Sequence, residues 1–330
     1  MYAKWNKNSG GGGGSTTTYF YFAIEKVDTQ DGHALNAATV RNYRGSTPEL
    51  LNGEDHFAYI VGHNDGNVYP NGLISRAETA AVFFRLLKDE VRDGNLLTSN
   101  TYSDVPDDYW ANTAISTMTG LGIVQGHSGT TFDPEAPITR AQFAAICARF
   151  DTGAGGTTQT FSDISGHWAE EYIRQVAGLG WIKGFEDGTF RPDTYITRAQ
   201  FAAICARFDT GKSSGEQTFS DIQGHWAEKY IERAAELGWI KGFEDGTFRL
   251  DAYITRAQAM TMINRVLNRI PEDESDLLPG MNVWPDCNPG DWFYLAVQEA
   301  TNSHDFEHKA GSYETWTRLT KDPDWTRYEN

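Results

Sequence analysis

The 330-residue chain carries 28 basic and 45 acidic side chains, which gives a formal net charge of −17. A chain of this charge repels nucleic acids and anionic membranes beyond about 10 Å at moderate salt, so we expect neither as a partner. Hydrophobic residues make up 39% and aromatic residues 13% of the chain, enough to build a buried core. An acidic chain still binds an anionic polymer where its few arginines and lysines converge in a cleft.

The N-terminal part predicts a tether followed by strands. Residues 1–15 contain a glycine run and are predicted to be flexible, whereas residues 16–51 alternate enough to predict two or three β-strands, the remnant of an upstream domain. The start has no apolar core of a signal peptide, and no stretch approaches the roughly 18 to 20 apolar residues of a membrane span. If the protein acts outside the cell, we expect its export signal upstream in a longer natural protein, or the chain to be a fragment or an engineered one.

An internal repeat dominates the rest of the sequence. The string FSDISGHWAEEY from Phe161 returns as FSDIQGHWAEKY from Phe219, 58 residues later. A more divergent copy begins at Tyr102, a copy with a shortened front begins near Asp55, and a front half without a back half begins at Trp284. The predicted first to fourth units are residues 52–98, 102–151, 161–209 and 219–269, followed by a closing segment, 281–330, that contains a half-unit and a tail.

Each unit is predicted to form a helix, a loop and a second helix. In the front half, Trp168, Ile173 and Val176 keep helical spacing, and the helix is predicted to end at Gly180. In the loop GFEDGTFRPD, Asp-Gly is a turn signal, and Phe190 is predicted to reach the core. Each back half opens with a capping-box sequence, which pairs Ser75 with Glu78, Thr139 with Gln142, Thr197 with Gln200 and Thr255 with Gln258.

The sequence predicts neither a cofactor nor a metal ion. The loop at Glu186 and Asp187 lacks the alternating oxygen ligands and closing glutamate of an EF-hand. His56, His167 and His225 precede a front-half aromatic in only three units, so we predict that they form hydrogen bonds at helix starts. No nucleophile-elbow, zinc-protease or nucleotide-binding motif occurs, and we expect no enzyme, although carboxylates suited to glycoside hydrolysis are plentiful.

Cysteine use is low. Cys147, Cys205 and Cys287 cannot all pair, and the first two occupy the same place in repeated AAICARF strings. We predict that these two are small core residues.

At the strings FSDI-GHWAE, GFEDGTFRPD and YITRAQFA the chain resembles the S-layer homology (SLH) family, from about Asn52 to Arg269. The tail, WPDCNPGDWFYLAVQEATNSHDFEH followed by YETWT, resembles the closing segment of surface proteins from bacteria with a Gram-positive type of wall. The resemblance implies a mainly α fold of tandem helix-loop-helix repeats in a pseudo-symmetric helical bundle, a spindle, besides the small β segment near the N-terminus. The family's usual centre has three back helices, so four require either one displaced motif or an enlarged bundle.

The resemblance also implies a ligand, an anionic secondary cell-wall polysaccharide that often carries pyruvate ketals and binds in grooves between motifs. Carried over by position, the binding residues are the TRAE-motif arginine, the aromatic residue at the front-helix start and the loop glycine. These are Arg76, Arg140, Arg198 and Arg256; Trp110, Trp168, Trp226, Phe57 and Trp292; and Gly126, Gly184 and Gly242, with Lys183 and Lys241 adding charge to two grooves.

Physical chemistry supports the arginines and also offers a competing interpretation. An arginine just inside a capped helix N-terminus adds a planar, charged fork to free backbone N–H groups, and together they suit a carboxylate. The structural alternative pairs each arginine with an acidic residue such as Asp163 or Asp221, and the tryptophans with the core. Three motifs read TRAQ where the family prefers TRAE, which removes a negative charge, and the first reads SRAE.

We therefore expect an extracellular module at the cell wall or S-layer that anchors a surface protein non-covalently and catalyses nothing. A self-assembling S-layer-like protein, with other surface-layer proteins as partners, is the second hypothesis. A cell-wall glycan hydrolase is the third, weakened because an enzyme rarely spreads one active site over four copies of a unit.

Overall fold

The computed structural model describes residues 50–127, 129–149, 160–178, 182–185, 187–206, 219–237, 240–309 and 313–329. Its helices and strands, in chain order, are α1 (Arg76–Leu86), α2 (Asp89–Gly94), α3 (Asn112–Gly120), α4 (Arg140–Arg149), α5 (Glu170–Gly178), α6 (Arg198–Cys205), α7 (Glu228–Glu236), α8 (Arg256–Val266), α9 (Tyr294–Thr301), β1 (His304–His308) and β2 (Glu314–Leu319). None of the helices in the described ranges combines the length and the apolar character that crossing a bilayer requires.

Capping sequences set the starts of α1, α4, α6 and α8, which we call the back helices. The hydroxyl of Thr255 accepts a hydrogen bond from the N–H of Gln258, and the Gln258 side chain accepts one from the N–H of Thr255. The same reciprocal pair stands before the other three helices. Because two otherwise unpaired donors are satisfied at each start, the prediction of four capped back helices is confirmed.

The back helices are joined in a closed ring. An extended residue beside each helix start pairs with one from the neighbouring unit: Ser75 with Pro137, Thr139 with Tyr195, Thr197 with Tyr253 and, from the fourth unit back to the first, Thr255 with Leu73. Side chains from all four helices meet at the centre, among them Phe83, Ile146, Phe201 and Met262. The bundle is therefore enlarged to four back helices, and no motif is displaced.

Each back helix packs against the front helix of the following unit, α1 with α3, α4 with α5, α6 with α7 and α8 with α9. Between residues 50 and 75 the first unit has no helix of its own, and α9 belongs to the closing segment. Asp286 of that segment accepts hydrogen bonds from the N–H groups of Val68 and Tyr69 in the first unit's loop. Asp104, Asp163 and Asp221 bind the loops of their own units in the same way. The closing segment thus supplies the front half that the first unit lacks.

These four aspartates hold a strained turn. The second residue of each clamped pair has a positive φ between 48° and 57°, in Tyr69, Asp133, Arg191 and Arg249. Such a backbone is unfavourable for residues other than glycine and persists where surrounding contacts fix it. Each carboxylate accepts from two successive N–H groups at 2.7–3.0 Å, which fixes the turn and aims the preceding side chain into the core.

We expect Asp221→Ala to lower the free energy of unfolding by about 2–4 kcal/mol, because two hydrogen bonds to a charged group are lost at a strained turn. Urea unfolding followed by circular dichroism measures the change. The matched control is the exposed Asp251→Ala in the same unit, which is expected to stay within about 0.5 kcal/mol of the parent. Equal stability of the two variants would show that the turn does not depend on the carboxylate.

The sheet among the described residues lies near the C-terminus, where β1 and β2 pair antiparallel with His308 opposite Glu314. The predicted strands of residues 16–51 fall outside the described residues except for the last two, and the strands at 304–319 were not predicted. The N–H of His304 donates to the carbonyl of His56, so the hairpin is joined to the first unit. This contact adds a second connection between the two ends of the array.

Candidate functional site

At each junction between neighbouring units, the back-helix arginine reaches into the loop of the next unit. Nε of Arg140 donates to the carbonyl oxygen of Phe190 at 2.8 Å, and Nη2 donates to that of Lys183 at 3.0 Å. The guanidinium carbon lies 4.4 Å from the centre of the Phe190 ring. Arg198 and Arg76 make the same two kinds of bond in their own junctions, at 2.7–2.9 Å.

The structural alternative in which Asp163 and Asp221 pair with the back-helix arginines is wrong. Asp163 and Asp221 bind backbone N–H groups of the loops, and it is carbonyl oxygens that hold the arginines. Burial lowers the pKa of Arg140 to about 10, as it does for Arg76 and Arg198, so all three side chains stay charged at neutral pH. Arg76, Arg140 and Arg198 therefore hold the loop of the next unit in place, and each keeps a positive charge at its junction.

The junctions differ in net charge because of one capping residue. Arg256 donates from Nη1 to the carboxylate of Glu78, which stands at the start of α1. The other three back helices carry glutamine at that place, and among the described residues no carboxylate lies within 4.0 Å of the guanidinium nitrogens of Arg76, Arg140 or Arg198. In the described part of the chain, Nη1 of these three arginines donates to no protein atom, although the residues themselves are only 1–4% exposed.

The loop glycines are required by close packing. A Cβ on Gly184 would lie 2.1 Å from the ring of Phe161, and one on Gly242 would lie 2.2 Å from the ring of Phe219. Gly126 differs, because its N–H donates to the Tyr102 hydroxyl at 2.9 Å. Packing therefore explains the glycine at positions 184 and 242, and a ligand role for Gly126, Gly184 and Gly242 stays a prediction.

Gly62 is the loop glycine that the sequence analysis did not single out. A Cβ there would lie 2.0 Å from the ring of Trp284 in the closing segment. The available signal was the alignment of Trp284 with Phe161 and Phe219 at the head of a front half. Gly62 could not be matched to Trp284 from the pattern of one unit, because Trp284 belongs to a half-unit more than 200 residues further along the chain.

Aromatic residues precede the four front helices, with different exposure. Trp226 and Trp110 are 52% and 37% exposed, whereas Trp168 and Trp292 are partly buried against the core. The prediction that Phe57 heads a front helix is wrong, because the first unit has no such helix and Trp292 takes the place. Phe57 lies instead with its ring 5.7 Å from that of Trp325, beneath the guanidinium of Arg269.

At two junctions the loop residue whose carbonyl oxygen accepts from the arginine is a lysine. Lys183 and Lys241 are exposed, and their carbonyl oxygens accept from Arg140 and Arg198. The sequence prediction placed these lysines in grooves with the arginines, and the backbone contacts bring the residues together.

The three histidines that the sequence analysis grouped do not share one setting. Nδ1 of His167 accepts from the N–H of Ala169, and Nδ1 of His225 accepts from that of Ala227, both just before a front helix. His56 precedes no helix and is buried against the C-terminal sheet, so its predicted role at a helix start is wrong.

Cys147 and Cys287 are buried, as predicted for Cys147 as a small core residue. The side chain of Cys205 lies outside the described residues.

These features define a tandem-repeat module of capped helix-loop-helix units with an arginine at every junction. Three segments, residues 101–144, 160–202 and 218–260, match the S-layer homology domain family model. Over these three segments the chain is similar to S-layer homology domains.

Three similar proteins have names that refer to the cell surface, to cellulosome anchoring or to the S-layer. Cell surface glycoprotein 1 of Acetivibrio thermocellus is 36% identical over 195 residues, covering 54% of this chain and 8% of that protein. The cellulosome-anchoring protein of the same organism is 37% identical over 196 residues, covering 56% of this chain and 43% of that protein. The S-layer protein of Bacillus licheniformis is 28% identical over 172 residues, covering 49% of this chain and 19% of that protein. The chain thus spans less than half of the length of each of these relatives.

Proposed function

We propose that this chain anchors a surface protein non-covalently to the cell wall by binding an anionic secondary polysaccharide at the junctions between its units. The observation that carries the proposal is the charge left on Arg76, Arg140 and Arg198, each held by carbonyl oxygens, with an Nη1 that donates to no protein atom in the described chain. A fixed guanidinium suits a carboxylate, and a pyruvate ketal places a carboxylate on a sugar. The helix-start N–H groups that the sequence offered as further donors are already used, since those of Arg140 and Ala141 donate to the carbonyl oxygens of Thr194 and Pro192.

The other predicted residues fit the same ligand. Trp226 and Trp110 expose aromatic surface at front-helix starts, where a sugar ring can pack. Lys183 and Lys241 add charge at two of the three junctions without a paired carboxylate. One charged hydrogen bond contributes about 1.5–3 kcal/mol, so a single junction binds modestly. Several junctions on one polymer raise the avidity by roughly two to four orders of magnitude.

The closed ring supports a pseudo-symmetric spindle with four junctions in place of the three that the family resemblance implied. In this proposal each predicted unit, 52–98, 102–151, 161–209 and 219–269, is one repeat of the spindle, and 281–330 completes the first. The protein works outside the cell, at the wall or S-layer, with the polysaccharide as its partner. The relatives' names support surface attachment.

Co-sedimentation with protein-free cell-wall sacculi tests the proposal. We expect the purified chain to pellet with intact sacculi and to stay in solution after the secondary polymer has been removed chemically. Re-addition of the released polymer is expected to compete. Equal pelleting with stripped sacculi would contradict polymer binding, because bare peptidoglycan would then suffice.

A self-assembling S-layer protein remains the second candidate, favoured by the similarity to an S-layer protein. It predicts concentration-dependent sheets without any polysaccharide, visible by negative-stain electron microscopy. A wall hydrolase, the third, predicts release of soluble sugars from sacculi, which the same co-sedimentation supernatants reveal.

A further inference from the structure

A second cluster of polar side chains lies apart from the arginine junctions, where the first unit meets the C-terminal sheet. His56, Glu299, His304 and Glu314 are all buried, at 0–5% exposure. One nitrogen or oxygen atom from each lies within 4.8 Å of those of the other three. The four residues come from an extended segment of the first unit, from α9, from β1 and from β2, so the tertiary fold alone assembles them.

The separations between the histidine nitrogens and the nearest carboxylate oxygens are close to those around a tetrahedral ion, and His56 and His304 lie nearest to different oxygens of Glu299. Bonds of about 2.0–2.2 Å place the ligand atoms of a zinc ion about 3.3–3.6 Å apart. Nδ1 of His56 lies 3.3 Å from Nε2 of His304, 3.2 Å from Oε1 of Glu314 and 3.5 Å from Oε1 of Glu299. Nε2 of His304 lies 3.6 Å from the same Glu314 oxygen and 3.3 Å from Oε2 of Glu299.

The cluster is incompletely satisfied by the protein's own atoms. Oε1 of Glu299 and Oε2 of Glu314 are buried and accept no hydrogen bond from the described residues. The nearby Arg269 donates to carbonyl oxygens of Asn52, Asp55 and Phe57, and in the described chain it has no carboxylate oxygen within 4.0 Å. Two buried carboxylates without a directly paired cation are unfavourable, and a divalent ion between them removes that cost.

Surrounding groups orient the ligand atoms. Nδ1 of His304 lies 3.0 Å from the carbonyl oxygen of Asn302 and donates to it, so Nε2 turns a lone pair into the cluster. Nε1 of Trp316 donates to Glu299, and the rings of Trp316 and Phe306 stack on His304 and His56 at 4.0 and 3.7 Å. This is the second layer of contacts by which proteins fix metal-binding histidines.

Burial shifts the protonation of all four groups in the direction that disfavours charge. It raises the pKa of Glu314 to about 10 and that of Glu299 to about 7, and it lowers the pKa of His304 to about 4 and that of His56 further.

We propose that His56, Glu299, His304 and Glu314 bind one divalent ion of the zinc class, which fastens the first unit to the closing segment. The mixture of imidazole nitrogen and carboxylate oxygen suits zinc and disfavours calcium and magnesium, which prefer oxygen alone. Four protein ligands around the ion leave no open position, so the site is structural. It adds metal–ligand bonds to the contacts that already join the first unit to the closing segment, such as those of Asp286 with Val68 and Tyr69.

The test uses the full chain, freed of metal by a chelator and dialysis and then titrated with Co²⁺ as a visible probe. We expect one Co²⁺ per chain, with the absorption bands of tetrahedral nitrogen and oxygen ligation, and displacement by Zn²⁺. The thermal midpoint of the Zn²⁺-loaded chain is expected to rise by about 5 °C or more above that of the metal-free chain. A folded metal-free chain that takes up no Co²⁺ and no Zn²⁺ would overturn the proposal.

Variants locate the ion. Glu314→Gln and His304→Gln are expected to abolish the Co²⁺ bands, whereas the matched controls Glu90→Gln and His225→Gln, both outside the cluster, keep them. Retained binding in a folded Glu314→Gln chain would overturn the assignment. Where the cluster variants do not fold, X-ray absorption of the Zn²⁺-loaded parent chain decides: two imidazoles with oxygen support the site, and sulfur ligation refutes it.

Discussion

Replacing Arg198 by Gln is expected to weaken polymer binding more than replacing Arg256 by Gln, while the order of their effects on folding is reversed. Both arginines are buried and donate through Nε to a loop carbonyl, so they share a structural role. Of the two, only Arg198 has an Nη1 without a protein acceptor in the described chain. Its replacement is expected to remove a charged hydrogen bond to the polymer worth about 1.5–3 kcal/mol, which makes binding at that junction roughly ten- to 150-fold weaker. Replacing Arg256 leaves the partly buried carboxylate of Glu78 without the guanidinium that pairs with it. We expect this to lower the free energy of unfolding by about 3 kcal/mol.

Isothermal titration with the isolated polymer measures binding, and urea unfolding measures stability. Glu78→Gln gives the complementary variant, because it makes the fourth junction resemble the other three and frees Arg256. We expect this variant to bind polymer more tightly than the parent chain. If Arg198→Gln and Arg256→Gln weaken binding equally, the charge difference between junctions plays no part in recognition.

Removing residues 281–330 is expected to open the ring and to abolish cooperative folding of the first unit. The deletion takes away α9, which packs against α8, and Asp286, which clamps the first unit's loop. The deletion also removes the buried side chains of Phe293, Tyr294 and Val297. The burial of each contributes about 1.5–3 kcal/mol to the free energy of unfolding. We expect limited proteolysis to cut the truncated chain within residues 50–98 first, and its thermal midpoint to fall by about 10 °C or more.

A pair of valine variants distinguishes the effect of lost core packing from the effect of deleting residues 281–330. Val297 is fully buried in α9, whereas Val283 of the same segment is 69% exposed. Val297→Asp is expected to reproduce the early cleavage, and Val283→Asp to behave as the parent. A truncated chain as resistant to protease as the full chain would show that the first unit does not need the closing segment.

The sequence predicted the local parts of the fold well because their causes are local. A threonine or serine three residues before a glutamine or glutamate satisfies helix N–H groups within one turn, so the starts of the back helices at Arg76, Arg140, Arg198 and Arg256 could be predicted from spacing alone. Phe190, predicted to reach the core from the loop, is fully buried. The C-terminal strands were missed because the tail was interpreted through its likeness to a half-unit.

The candidate site was predicted in position and only partly in its contacts. Repetition singled out the arginines, but the atoms that hold them are carbonyl oxygens, which every residue carries and which leave no mark in a sequence. Asp163 was taken for an arginine partner, and the strained turn that it clamps could not be inferred from residue types.

The sequence by itself determined the unit, its repetition, its capped helices and the positive charge at the head of each back helix, because these depend on residues within one unit. The tertiary structure decided how the units close. Asp286 meets Val68 across 218 residues of chain, and His56 meets Glu314 across 258. Such contacts form because an uncovered helix face and an unpaired loop must be satisfied by whichever part of the chain can reach them, and that choice depends on the shape of the whole ring.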